Sequence, residues 1–179
     1  IGGAKFIYIS TDAVFAGGRG NYTENDSTNP FSVYGASKLA GEVAALHESG
    51  ALVIRTNFFG WSPTGTRSIL EFFVNSLEAN SPVAGFTDFT VTSLYIRQCA
   101  EIIRQLRNEV GLWHVTSRDA LSKYDYGIEV SRVFTLDPRL ITAQTSNEDT
   151  SQKVSRSRDI SLNTTKVQDF LNRMSLPPL

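Results

Sequence analysis

Two short apolar runs bracket a single helical stretch, and this arrangement limits the fold more than any other feature of the chain. Phe6-Ile7-Tyr8-Ile9 and Ala51-Leu52-Val53-Ile54 are continuous rather than alternating. Such runs suit strands covered on both faces, as in a parallel sheet. Between them Leu39, Val43 and Leu46 recur at helical spacing, which predicts a helix over about residues 33 to 47, with Gly50 as its stop. Strand, helix and strand in that order form one crossover unit. Its two strands run parallel, adjacent or nearly so, with a right-handed connection.

The remaining pattern is α/β but less regular. Helices are predicted over about residues 68 to 79, where Ile69, Phe72, Phe73 and Leu77 share a side, and over about 95 to 108. Residues 83 to 92 read as strand and loop, and residues 111 to 116 as a strand carrying Trp113 and His114. Ser122 and Asp125 have the spacing of a helix cap. Residues 145 to 159 read as a polar loop or extended segment, and about 167 to 174 as a short last helix. Tyr124 and Tyr126 are expected to pack on the last helices. His114, inside an apolar strand, reads as a structural histidine.

Composition removes several classes of function. There are 17 basic and 18 acidic residues, so no electrostatic footprint for nucleic acid or an anionic membrane is present. The single cysteine, Cys99, excludes an internal disulfide and offers no metal-ligand spacing; its apolar helical surroundings predict a buried, inert thiol. No apolar stretch reaches the roughly 18 residues of a membrane span, and no signal peptide precedes the first strand, so a cytoplasmic protein is expected. A strand pattern starting so close to Ile1 also reads as a piece of a longer protein.

The chemistry is carried by Thr11, Tyr34 and Lys38. Tyr34 and Lys38 are four apart on the predicted helix and project from one face. Free tyrosine has a pKa of about 10, too high for proton exchange at neutral pH unless a neighbour stabilises its anion. A lysine ammonium does so by Coulomb attraction. Tyr34 can then pass a proton to a carbonyl oxygen while a hydride reaches the carbon. Thr11 stands at the carboxyl end of the first strand, the edge at which open parallel sheets bind ligands.

Tyr-x-x-x-Lys alone is a weak signal, but its context is ordered. Ser10-Thr11-Asp12-Ala13-Val14-Phe15, Tyr22-Thr23-Glu24, Asn29-Pro30, Val33-Tyr34-Gly35-Ala36-Ser37-Lys38 and Gly41-Glu42 follow in series, and Arg55-Thr56-Asn57-Phe58-Phe59-Gly60 comes after the next strand. This series resembles the active-site stretch of the extended short-chain dehydrogenases, and Ser-Thr-Asp followed by Val-Phe is similar to the dTDP-4-dehydrorhamnose reductase branch. The resemblance implies a Rossmann-like parallel sheet lacking its N-terminal strands, with a smaller α/β substrate-binding lobe. On that division, residues 1–60 hold the catalytic groups and 61–179 are mainly the lobe.

The resemblance further implies reduction of a 4-keto-6-deoxysugar nucleotide with NADP or NAD. Tyr34 would be the proton donor, and Lys38 would both activate it and bind the nicotinamide ribose. Thr11, Asp12, Asn57 and Phe58 would contact the sugar, and Arg156 and Arg158 are candidates for its diphosphate. A homodimer is an assembly that the family admits. The alternatives are an epimerase of the same fold, or a non-catalytic subunit like the regulatory subunit of methionine adenosyltransferase. A dehydratase of the same fold is weakened by Ala13, which stands where dehydratases of the family carry an acid. No G-x-x-G-x-x-G loop occurs, so the chain as it stands is expected to bind NAD(P)H poorly and to be inactive by itself.

Overall fold

A computed structural model describes residues 4–145 and 159–177. In chain order the elements are β1 (Ile7–Thr11), α1 (Val33–Leu46), β2 (Leu52–Thr56), β3 (Phe58–Phe59), α2 (Ile69–Glu78), β4 (Val83–Phe86) and β5 (Thr90–Thr92). They continue with β6 (Leu94–Tyr95), α3 (Ile96–Gln105), β7 (Gly111–His114), β8 (Ala120–Ser122), α4 (Lys123–Phe134), β9 (Ile141–Gln144) and α5 (Thr165–Arg173).

The organising sheet is parallel, in the order β1-β2-β7. Ile7 lies opposite Leu52 and Thr11 opposite Thr56, so the two strands read first in the sequence are direct neighbours. Successive strand residues point to opposite faces. Leu52 and Ile54 enter a core with Trp113, with Cys99 and Ile102 of α3, and with Val167, Phe170 and Leu171 of α5. Arg55, one position on, meets Glu42 of α1 on the other face. The sheet is thus covered on both sides, which is why its strands are apolar without alternation. Cys99 is buried there, as expected.

A second core joins α2 and α4 to the parallel pair β4–β9 through Leu70, Phe73, Val74, Leu77, Val83, Tyr126, Val130 and Ile141. Tyr126 packs edge-on against Phe59, with ring centroids 5.4 Å apart, and beside Phe73. That corrects the expectation that it meets the last helices. Its own helix turns it towards α2 instead. β9 is a further element that periodicity did not reveal, because two of its four residues face solvent. The helix expected to reach residue 108 tightens into a 3₁₀ turn at Leu106–Asn108.

Candidate active site

Thr11 ends β1 at the carboxyl edge of the sheet. Its hydroxyl donates to Asp12 Oδ1 at 3.0 Å and accepts the Ala13 amide at 3.2 Å, capping the 3₁₀ turn Asp12–Val14. Asp12 is 2% exposed, and its second carboxylate oxygen accepts from Asn57 Nδ2 at 2.7 Å. Asn57 Oδ1 in turn accepts from the Ser93 hydroxyl at 2.7 Å. Burial pushes the Asp12 carboxyl up to about 6, against the hydrogen bonds from Asn57 and Thr11, which favour its charge.

α1 is capped by Ser32, whose hydroxyl oxygen accepts the Gly35 amide at 3.0 Å, so Tyr34 falls in its first turn. The Tyr34 side chain is exposed, and its hydroxyl bonds to no described residue. One turn on, the Lys38 ammonium donates to the Ile9 carbonyl at 2.5 Å and lies 4.4 Å from the centroid of the Tyr8 ring. Two glycines let the helix come this close. A Cβ on Gly35 would strike the Ala13 carbonyl, and one on Gly41 would strike the Tyr8 hydroxyl. The Tyr34 turn therefore sits beside the Asp12–Val14 turn, and Lys38 beside Tyr8 and Ile9 in the middle of β1. Thr11 and Lys38 are committed to other partners, and no contact joins Lys38 to the Tyr34 hydroxyl.

Phe58 is half exposed and lines a cavity of about 440 Å³ with Asn57, Trp61, Arg67 and Phe89. A second cavity, of about 450 Å³, is walled by Phe59, Leu121, Tyr126, Val130 and Phe134, and Val91 and Ser93 line both. The line Thr11–Asp12–Asn57–Ser93 thus leads from the sheet edge into this paired hollow.

Sequence reasoning missed two residues here. Ser93 holds Asn57, and nothing local in the sequence pointed to it. Glu71 organises the wall, because its carboxylate accepts the amides of Ser62, Arg67 and Ser68 at 2.5, 2.8 and 3.0 Å and the Ser62 hydroxyl at 2.9 Å. Burial works against its charge, but those hydrogen bonds outweigh it and hold the carboxyl down at about 2. Ser68-x-x-Glu71 is a capping box readable from the sequence.

The glycine-rich turn at residues 17–20 is occupied by protein. The Asp159 carboxylate lies where a side chain on Gly20 would be, and the Gly18 amide donates to the Asp159 carbonyl at 3.3 Å. A carboxylate there opposes a phosphate. Arg156 and Arg158 lie outside the described residues. Among the described residues no cluster of His, Cys, Asp and Glu could hold a metal ion, and no helix is long and apolar enough to cross a membrane.

The mixed α/β architecture, with its crossover and parallel sheet, is the Rossmann-like fold of the dTDP-4-dehydrorhamnose reductases. The sequence profile of the RmlD substrate binding domain matches residues 2–175, and the chain belongs to that family. Two curated relatives are similar. Methionine adenosyltransferase 2 subunit beta of Danio rerio is 32% identical over 145 residues, covering 75% of this chain and 45% of its own. The probable low-salt glycan biosynthesis reductase Agl14 of Haloferax volcanii is 34% identical over 143 residues, covering 76% of this chain and 48% of its own. The chain thus spans about half the length of these relatives. The dTDP-4-dehydrorhamnose reductase of Bacillus anthracis, solved in complex with NADP, superposes with a TM-score of 0.85 over 98% of this chain and 61% of that one; at 20% identity this shows the shared fold.

Proposed function

We propose that the complete protein is an NAD(P)H-dependent reductase of a 4-keto-6-deoxysugar nucleotide. Residues 1–60 carry the reacting groups, and the remainder mainly shapes the sugar-nucleotide lobe. The observation that supports the reading is that the helix turn bearing Tyr34 packs on the Asp12–Val14 turn and Lys38 bonds to β1, whose carboxyl end carries Thr11, while Asp12 bonds Asn57 at the hollow. The likeness to the Haloferax reductase and the NADP held by the Bacillus reductase support it.

The described residues fit one end of such a cofactor. The exposed Tyr34 phenol and the Lys38 ammonium suit a nicotinamide ribose, whereas the turn at residues 17–20, already filled by Asp159, does not suit a pyrophosphate. When bound, the reduced nicotinamide supplies the hydride. Tyr34 gives its phenolic proton to the carbonyl oxygen, and Lys38 stabilises the tyrosinate left behind. Thr11 orients that oxygen by turning its hydroxyl proton from Asp12 towards it. Asp12 and Asn57, already bonded to each other, hold the sugar hydroxyls, and Phe58 presents an apolar face to the ring.

The likeness to methionine adenosyltransferase 2 subunit beta favours a second reading, a binding subunit. Turnover separates the two. The full-length protein, given a dTDP-4-keto-6-deoxysugar and NADH or NADPH, is expected to oxidise the nicotinamide, and Lys38→Met is expected to lose both rate and cofactor affinity. Cofactor binding without oxidation across a panel of such sugar nucleotides would favour the subunit.

A further inference from the structure

Directly below the site lies a buried polar row that the proposed reaction does not use. Ser10, Arg55 and His114 are partners in register across β1, β2 and β7, so they share one face of the sheet. α1 covers that face and brings Glu42 to it, one turn beyond Lys38. The Ser10 hydroxyl donates to Glu42 Oε1 at 2.5 Å. Arg55 Nε donates to Oε1 at 2.9 Å and Oε2 at 3.2 Å, and Arg55 Nη2 to Oε2 at 2.7 Å. The Arg55 and Glu42 side chains are only 5% and 2% exposed. The guanidinium packs over the Phe15 ring, 5.0 Å from its centroid, while Arg55 Nη1 and His114 Nε2 are buried with no partner among the described residues. Burial, with Arg55 alongside, holds the His114 imidazole neutral, down to about 3.

Such an ion pair is a poor source of stability, because desolvation offsets its Coulomb attraction and apolar pairs often replace it without loss. What a guanidinium fork on a carboxylate adds is direction. Tyr34, Lys38 and Glu42 follow at intervals of four and form one stripe along α1. Rotating the helix about its axis would break the hydrogen bonds that anchor Glu42 to β1 and β2. We infer that Glu42, gripped by Arg55 and Ser10, is a positioning residue that sets the rotation of α1 and hence the heading of Tyr34 and Lys38. The inference rests on the reading of those two as the reacting pair.

The test is Glu42→Met combined with Arg55→Met in the full-length protein, which removes both charges and leaves no unpaired buried ion. The expected variant is folded, with KM for the sugar nucleotide little changed. Its kcat falls at least about tenfold, since a misplacement of about 1 Å can cost about 10²-fold. The ring resonances of Tyr34, recorded without substrate, shift in the same variant. A folded double variant with the parent's kcat and unmoved Tyr34 resonances overturns the inference. Should the double variant not fold, Glu42→Asp keeps the charge and shortens its reach by one methylene. Loss of kcat with shifted resonances then supports the inference, and full kcat with unmoved resonances overturns it. A parent without turnover defeats the reductase reading alone, because the Tyr34 resonances still report whether Glu42 orients the helix.

Discussion

Around β1, α1 and β2 the buried side chains include Ser10, Thr11, Asp12, Glu42, Arg55 and Thr56, whereas around α2, α4, β4 and β9 they are chiefly Leu70, Phe73, Val74, Leu77, Tyr126 and Val130. The first region is joined by directional hydrogen bonds and by a helix pressed onto a strand at two glycines. The second is joined by apolar contact, which many combinations of side chains can satisfy. Geometry is therefore kept to close tolerance where protons are proposed to move. The hollow proposed for the sugar nucleotide is built from parts that can be reshaped without disturbing that geometry.

The largest expected effect belongs to the apolar region. Phe73 is fully buried between α2 and α4, and Phe73→Ala should lower stability by about 3–5 kcal/mol in denaturant unfolding. In the fraction that remains folded, the Tyr34 resonances should stay in place. Movement of those resonances would mean that the two regions are mechanically one. A smaller loss, about 1–3 kcal/mol, is expected for Gly35→Ala, because the new methyl meets the Ala13 carbonyl. Here turnover should fall as well, since the Tyr34 turn is forced off the sheet edge. Unchanged turnover in a folded Gly35→Ala would show that the close approach has no bearing on the site.

The smallest effect concerns pH and lies wholly within the polar region. His114 is held at about 3, below its usual 6.5, so its contribution to stability is present above 6.5 and is lost as pH falls. Asp12 is raised from 3.8 to about 6, so its contribution is present at low pH and is lost as pH rises through about 6. Between these limits the two slopes oppose each other. Asp12→Asn removes one of them, so its stability should fall more steeply than the parent's from about pH 6 to about pH 4, by up to about 1.4 kcal/mol per pH unit. Equal slopes for the two proteins would refute the opposition.

Much of the first region was legible because its signals are local. The continuous apolar runs gave β1 and β2 their parallel pairing, and the spacing of Leu39, Val43 and Leu46 placed α1 almost to the residue. Thr11, Tyr34 and Lys38 stood out as an ordered series. What could not be read is non-local. Glu42 meets Arg55 from a different element, and Ser93 reaches Asn57 across 36 positions. β9 is short and half exposed, so its pairing with β4 left no periodic trace. Glu71 was readable through its capping box, but its hold on the loop at Ser62 needed the fold.

The most direct test of the central claim, that Tyr34 delivers the proton at the sheet edge, is the kinetics of Tyr34→Phe in the full-length protein with a 4-keto-6-deoxysugar nucleotide. Loss of a general acid predicts a fall in kcat of about 10²–10⁴-fold, with sugar-nucleotide binding by calorimetry nearly unchanged. A folded Tyr34→Phe protein that keeps the parent's kcat would contradict the account.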